Sequence, residues 1–288
     1  MHSMDKRRAR ATLVTACATH LLHDGLSDLL YVMFPVWARG FALSFAQVGA
    51  LKTSYSGALA LFQIPAGFLA ERLGEARLLA LGTAVCGLGY LALGTATGFE
   101  WLVLLLLIAG LGSAVQHPLS AALVSRAYEL GPQRVALGTY NFAGDLGKTA
   151  IPAAIAVVTA WAGWRWATRG MGLLALASSA GILITLSSLA LQPSKEKAGS
   201  SLGPESEGWG IRSPRGFRAL SAIHIIDSST RTSLLTYLPF LLIGKGGTVE
   251  IIGLALGLTF AGGAAGKFLC GAVAERLGII RTVILTEA

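Results

Sequence analysis

Gly67-Phe68-Leu69-Ala70-Glu71-Arg72-Leu73-Gly74 recurs 204 residues later as Gly271-Ala272-Val273-Ala274-Glu275-Arg276-Leu277-Gly278, and each copy ends a long apolar run. The same spacing joins His20 to His224, Pro35 to Pro239, Gly49 to Gly253 and Arg77 to Arg281. A repeat of this period in an apolar chain indicates two structurally related halves. Solutes carried by proteins of this plan bind between the halves, so the repeat bears on function as well as on fold.

Of the 288 residues, 53% are hydrophobic and only 13% charged. A soluble domain carries roughly a quarter charged residues, so the composition is that of a multi-spanning membrane protein. About 20 apolar residues cross the hydrocarbon layer. Eight runs reach that length: Ala11–Ala38, Phe45–Ala70, Leu78–Ala96, Trp101–Val124, Val135–Ala160, Ala167–Leu191, Phe217–Ile243 and Ile251–Ala274. A ninth starts at Arg281-Thr282-Val283-Ile284-Leu285 and stops at Ala288. The first run is too long for the core of a cleavable signal peptide. Cys17, Cys86 and Cys270 all fall inside apolar runs and read as small packing residues, not as disulfide or metal groups.

The net charge of +8 is a topology signal and not a nucleic-acid surface. With the N-terminus inside, the basic residues between spans crowd the cytoplasmic loops, among them Lys6, Arg7, Arg8, Arg126 and Arg134. Only Arg39, Arg165, Arg169 and Lys245 face outward. The chain is therefore expected to be a multi-pass protein of a bacterial plasma (inner) membrane, with lipid as its first partner. Residues 1–191 are expected to form a six-helix bundle and 215–288 an incomplete second bundle. Between them, residues 192–214 combine Pro, Gly, Ser, Lys and Glu and read as a flexible cytoplasmic linker.

The first span holds His20, His23, Asp24, Ser27, Asp28 and Tyr31 at i, i+3, i+4, i+7, i+8 and i+11, one face of a helix. Ionised groups at membrane depth mark ion or substrate pathways. Asp24 is the expected proton-coupling carboxylate, with His20 and His23 tuning it or binding substrate; Asp28 approaches the outer mouth. The seventh span repeats the theme with His224, Asp227, Ser228 and Arg231. Asp227 and Arg231 either neutralise each other at i, i+4 or leave Arg231 to bind an anionic solute. Asp145 and Lys148 in the fifth span pose the same choice, and Lys267 either reaches the cavity or extends to the interface. In the fourth span, Gln116-His117-Pro118 places an imidazole beside a proline that frees a backbone carbonyl one turn earlier.

These patches carry a family resemblance. The Gly67–Gly74 segment resembles the loop between the second and third helices of major facilitator transporters, whose plan of six spans, a linker and a second copy this chain follows. Within that superfamily the chain resembles the fosmidomycin-resistance-like efflux group. The residues that carry this are His20-Leu21-Leu22-His23-Asp24-Gly25 with Pro35, Gly110-Leu111-Gly112-Ser113-Ala114-Val115-Gln116-His117-Pro118, and Asn141-Phe142-Ala143-Gly144-Asp145-Leu146-Gly147. The loop has Glu71 where the family has Asp. Leu119 stands where the group commonly has an acid after His-Pro, so that position's chemistry does not transfer.

The resemblance implies an all-α major facilitator fold and proton-coupled efflux of a small drug-like or anionic compound by alternating access. Gly67, Glu71, Arg72, Gly74 and Arg77 are then gate residues, as are Gly271, Glu275, Arg276 and Gly278 in the second copy. The family neighbour of Glu71 lies in an eleventh helix beyond this chain. Substrate contacts are expected from Asp28, Gln116, His117, Asn141, Asp145, Lys148, His224, Asp227 and Arg231. A complete family member has about twelve spans, so a truncated fragment, inactive or dependent on assembly, is a second reading. A third, an intramembrane metalloenzyme built from His20, His23, Asp24 and His224, lacks any H-E-x-x-H pattern. No nucleotide-binding G-x-x-x-x-G-K-[ST] loop is present, and no cofactor or resident metal is expected. Nothing in the pattern selects an oligomeric state.

Overall fold

The computed structural model describes residues 3–188, 213–278, 281–282 and 285. Nine helices and no strands form among the described residues: α1 Ser3–Phe41, α2 Phe45–Leu73, α3 Glu75–Leu93, α4 Phe99–Ser113, α5 Gln116–Ala127, α6 Gln133–Ala162, α7 Trp164–Ser188, α8 Pro214–Gly244 and α9 Val249–Leu277. The linker expected over 192–214 falls outside the described residues as far as 212. Its last two residues start α8, where the Ser213 hydroxyl accepts from the Gly216 amide and Pro214 opens the first turn.

The repeat written in the sequence is also a repeat of backbone. α2 and α9 are both 29 residues long, and both of their ends differ by 204 positions. Gly74 and Gly278 close them with φ of 83° and 79°, a left-handed conformation that glycine adopts without steric cost. The turn before each helix repeats as well, with positive φ at Ala42 and at Gly246. At the start of α2, Ser44 and Gln47 form a reciprocal cap: Ser44 N–H donates to Gln47 Oε1 (2.9 Å) and Gln47 N–H to Ser44 Oγ (3.3 Å).

Among the described residues, five segments are long and apolar enough to cross a membrane: Glu75–Leu93, Phe99–Ala127, Gln133–Ala162, Trp164–Leu186 and Val249–Gly266. The other long helices were also expected to span, and they differ in composition. α1, α2 and α8 have the length but dilute their apolar surface with acids, bases and hydroxyls such as Asp24, Asp28, Lys52 and Arg231. The expected fourth span is two helices, because Pro118 has no N–H to give the carbonyl of Ala114. The chain tightens there, and the Ala114 amide is shared between Gly110 O (3.1 Å) and Leu111 O (3.3 Å).

Most of the buried apolar mass lies toward the ends of the helices near Phe41 and Phe45. Trp37, Phe34, Tyr55 and Tyr90 are fully buried there, and Leu235, Ile252 and Leu256 of α8 and α9 join the same core. Contacts between the first seven helices and the α8–α9 pair gather at this end too. Tyr237 Oη donates to Phe45 O (3.1 Å), and the Phe45 ring meets Tyr237 and Phe240 edge-on at 5.9 and 5.2 Å. Gly253 packs so closely on α6 that a Cβ there would lie 2.4 Å from Ala156 Cβ. Toward the opposite end, Phe217, Leu220, Ile223 and Ile226 of α8 are exposed. The pair is thus joined at one end and splayed at the other.

Candidate functional site

A cavity of about 410 Å³ lies between α1, α5, α6, α8 and α9. Asp24, Ser27, Asp28 and Tyr31 line it from α1, His117 from α5, and Asp145 and Lys148 from α6. The second copy supplies Arg231, Thr232, Leu234 and Leu235 from α8 and Thr259 and Phe260 from α9. The α1, α5 and α6 side is densely charged, while the α8–α9 side mixes Arg231 and two threonines with apolar residues, as suits an amphipathic solute.

Asp24 is the centre of the charged side. Its side chain is 6% exposed and takes three neighbours: His20 Nε2 at 3.1 Å and Lys148 Nζ at 3.1 Å from Oδ2, and His117 Nε2 at 3.5 Å from Oδ1. Lys148 reaches it because α6 presses against α1. A Cβ on Gly147 would stand 2.0 Å from Leu21 O, and one on Gly144 would stand 2.6 Å from His20 Nε2 and 2.7 Å from Asp24 Oδ2. Small residues allow this backbone approach inside a membrane. The His20 ring stacks on Tyr140 at 4.1 Å, and its Nδ1 lies 2.9 Å from the Tyr140 carbonyl oxygen.

His23, expected to tune Asp24 or bind substrate, faces away from the cavity. Its Nδ1 meets Ser113 Oγ (3.2 Å) and its Nε2 meets Thr83 Oγ1 (3.0 Å). Ser113 continues to Tyr55 Oη and Cys86 Sγ, and Tyr55 to Ser27. Both ring nitrogens are therefore engaged in a buried hydroxyl network that ties α1 to α2, α3 and α4. Successive helical residues point about 100° apart, so one edge of the stripe faces this network while the other faces the cavity.

The remaining expected residues divide. Asp28, His117, Asp145, Lys148 and Arg231 line the cavity. Gln116 is buried behind it, donating to Tyr140 Oη at 3.1 Å. Asn141, His224 and Asp227 are exposed and do not line it; the partner of His224 is Ser228 on its own helix, at 3.5 Å. The metal set drawn from His20, His23, Asp24 and His224 does not converge. His20, Asp24 and His117 do bring one ligand atom each within 4.8 Å of one another, but the Lys148 ammonium on Asp24 repels a cation there.

At the repeated loop, Gly67, Glu71, Arg72 and Arg77 are exposed, and nothing lies within 4 Å of a Cβ built on Gly67. Beside this loop a different carboxylate, Glu75, pairs with Arg126 between the first turn of α3 and the last turn of α5. Both charges suit their helix ends. Gly271 and the side chains of Glu275, Arg276, Lys267 and Cys270 fall outside the description.

Lys52 and Tyr140 were not singled out in the sequence. Lys52 is 8% exposed, with its ammonium 4.4 Å above the Tyr31 ring. A lone lysine in an apolar run was its only signal. Tyr140 acts partly through a backbone carbonyl, which sequence does not mark.

The family model of the Major Facilitator Superfamily matches residues 16–287. The chain belongs to the Major Facilitator Superfamily. Among curated relatives, this superfamily member is 28% identical over 142 residues to the fosmidomycin resistance protein of Escherichia coli, covering 49% of this chain and 35% of the relative. It is 34% identical over 134 residues to the class G tetracycline resistance protein of Vibrio anguillarum, covering 44% and 33%. The matched parts thus span about a third of those relatives. Among solved structures, a bacterial homologue of the human lysosomal transporter Spinster, in an inward-facing and occupied conformation, superposes with a TM-score of 0.76 at 21% identity. That match covers 92% of this chain and 61% of the other. The all-α facilitator fold and a multi-pass membrane location follow.

Proposed function

We propose that this facilitator-family chain carries the solute pathway of a secondary active transporter, exporting a small drug-like or anionic compound in exchange for protons by alternating access. The observation that carries the reading is Asp24: a buried carboxylate at the cavity wall, held by two imidazoles and an ammonium. A charge is kept at membrane depth only where partners or a wet pathway offset its desolvation. The location of the cavity between the first copy of the repeat and the second supports alternating access. The joined end at Phe45, Tyr237 and Gly253 would be the closed outer gate, with the N-terminus on the cytoplasmic side of a bacterial inner membrane. The names of the fosmidomycin and tetracycline resistance proteins support efflux as the direction.

The test uses inside-out vesicles containing the chain, an imposed pH gradient, and two probes, the phosphonate fosmidomycin and the cationic dye ethidium. Gradient-driven movement of either probe, lost in Asp24→Asn, is the expected result. Movement of neither, or movement that Asp24→Asn leaves unchanged, removes the proposal.

A further inference from the structure

We infer that the exchangeable proton of this site resides on Nε2 of His20, with Asp24 as its ionised partner. The inference deepens the proton coupling proposed above and rests on that reading for its use, though not for its test.

The assignment follows from donors and acceptors. His20 Nδ1 lies 2.9 Å from the Tyr140 carbonyl oxygen. A carbonyl only accepts, so Nδ1 carries a hydrogen, and in a neutral ring Nε2 is then a bare lone pair. That same Nε2 stands 3.1 Å from Asp24 Oδ2. A bare nitrogen and an ionised carboxylate at this distance repel each other. The contact therefore holds one proton more than a neutral imidazole and an ionised Asp24 together supply.

Ownership of that proton is decided by what else faces Asp24. The Lys148 ammonium donates to the same Oδ2 at 3.1 Å, and His117 Nε2 approaches Oδ1 at 3.5 Å. The ammonium can only donate, so Oδ2 already serves as its acceptor, and the further proton stays on nitrogen. The titratable groups around His20 are Asp24 and His23 on α1, His117 on α5 with its ring edge-on at 5.2 Å, and Tyr140 and Lys148 on α6. His23 has both nitrogens engaged by Ser113 and Thr83 and does not compete.

His20 itself does not line the cavity, whereas Asp24 and His117 do. The proton leaves Nε2 along the Asp24 carboxylate to water in the cavity. His20 becomes the neutral Nδ1–H imidazole, the water becomes hydronium, and nothing is oxidised or reduced. The charge summed over His20, Asp24 and Lys148 falls from one positive to zero. With the proton gone, two lone pairs face each other and the pair opens, while Lys148 keeps Asp24. Gly144 makes the closed pair possible, since any Cβ there would intrude on both His20 Nε2 and Asp24 Oδ2.

The test is nitrogen NMR on the full chain in lipid nanodiscs, labelled with 15N-histidine and 13C-carbonyl tyrosine. Among the described histidines only His20 has a ring nitrogen in hydrogen-bond contact with a tyrosine carbonyl, so the carbon–nitrogen coupling to Tyr140 assigns its signal without a variant. The expected spectrum shows a doubly protonated His20 ring that loses its proton from Nε2 as the pH is raised, and Asp24→Asn removes the doubly protonated form. Loss of the proton from Nδ1, or no doubly protonated His20 at any pH at which the protein is folded, overturns the assignment. Vesicles that move no solute would sink the transport proposal and leave this spectrum standing. Active transport with a neutral His20 would sink only the assignment.

Discussion

The Lys148 ammonium on α6 lies 3.1 Å from Asp24 Oδ2 on α1. Removing one partner of a buried ion pair costs about 3–5 kcal/mol, much of it from the charge left behind. Lys148 is 32% exposed and partly screened by water, so Lys148→Met is expected to cost about 1–3 kcal/mol. The double variant Asp24→Asn/Lys148→Met should recover part of that loss. Thermal unfolding of the four proteins in one detergent measures the cycle; strictly additive losses would mean the two groups do not interact.

The approach of α6 to α1 depends on Gly147. A methyl there would meet Leu21 O at 2.0 Å, whereas Gly67 has nothing within 4 Å. Gly147→Ala should destabilise by at least the roughly 1–3 kcal/mol typical of overpacking, and Gly67→Ala should be near neutral. Equal unfolding temperatures for these two variants would contradict the packing described.

His23 is expected to act on stability through its hydroxyl network. His23→Ala leaves Ser113 and Thr83 each short of a buried partner, at a cost of about 1–3 kcal/mol per group left unsatisfied. The readout is the unfolding midpoint, with His23→Gln recovering part of the loss because an amide both donates and accepts. A midpoint indifferent to both substitutions would show that the network is not formed.

The joint between the two copies can be forced apart at Gly253. Gly253→Val places carbon against Ala156, where even a Cβ would lie 2.4 Å away. Leu235 is buried in the shared core, so a cysteine at that position should react with maleimide several-fold faster once Gly253 is replaced. An unchanged rate would mean that this contact does not hold the end closed.

The proton on His20 also sorts solutes by charge. A positive charge beside the cavity repels cations and attracts anions. Cation binding should therefore tighten as the pH is raised and the proton leaves, while anion binding should weaken. Ethidium and fosmidomycin binding followed across pH would show the two opposite slopes; parallel slopes would contradict the assignment.

Much of the architecture was readable from residue order alone. The equal lengths of α2 and α9 and the positive φ at Gly74 and Gly278 match the repeated octapeptide. The break at Ala114 follows from Pro118. The carboxylates and bases of the cavity were marked by their mere presence in apolar runs. Residue order did not mark the partners that only a neighbouring helix supplies: the hydroxyls of Ser113 and Thr83 on His23, and the pair that Glu75 makes with Arg126. Asn141, His224 and Asp227 share composition with the site and lie outside it.

From its sequence the chain has its helices, its duplicated plan and its polar face, because each arises from residue types at fixed spacing along one segment. Tertiary structure alone decided that His20 sits under a carbonyl more than a hundred residues away, and that Lys148 and His117 converge on the same carboxylate. Those contacts depend on how far each helix is rotated and how closely glycine lets two backbones meet, and neither quantity is local to any stretch of sequence.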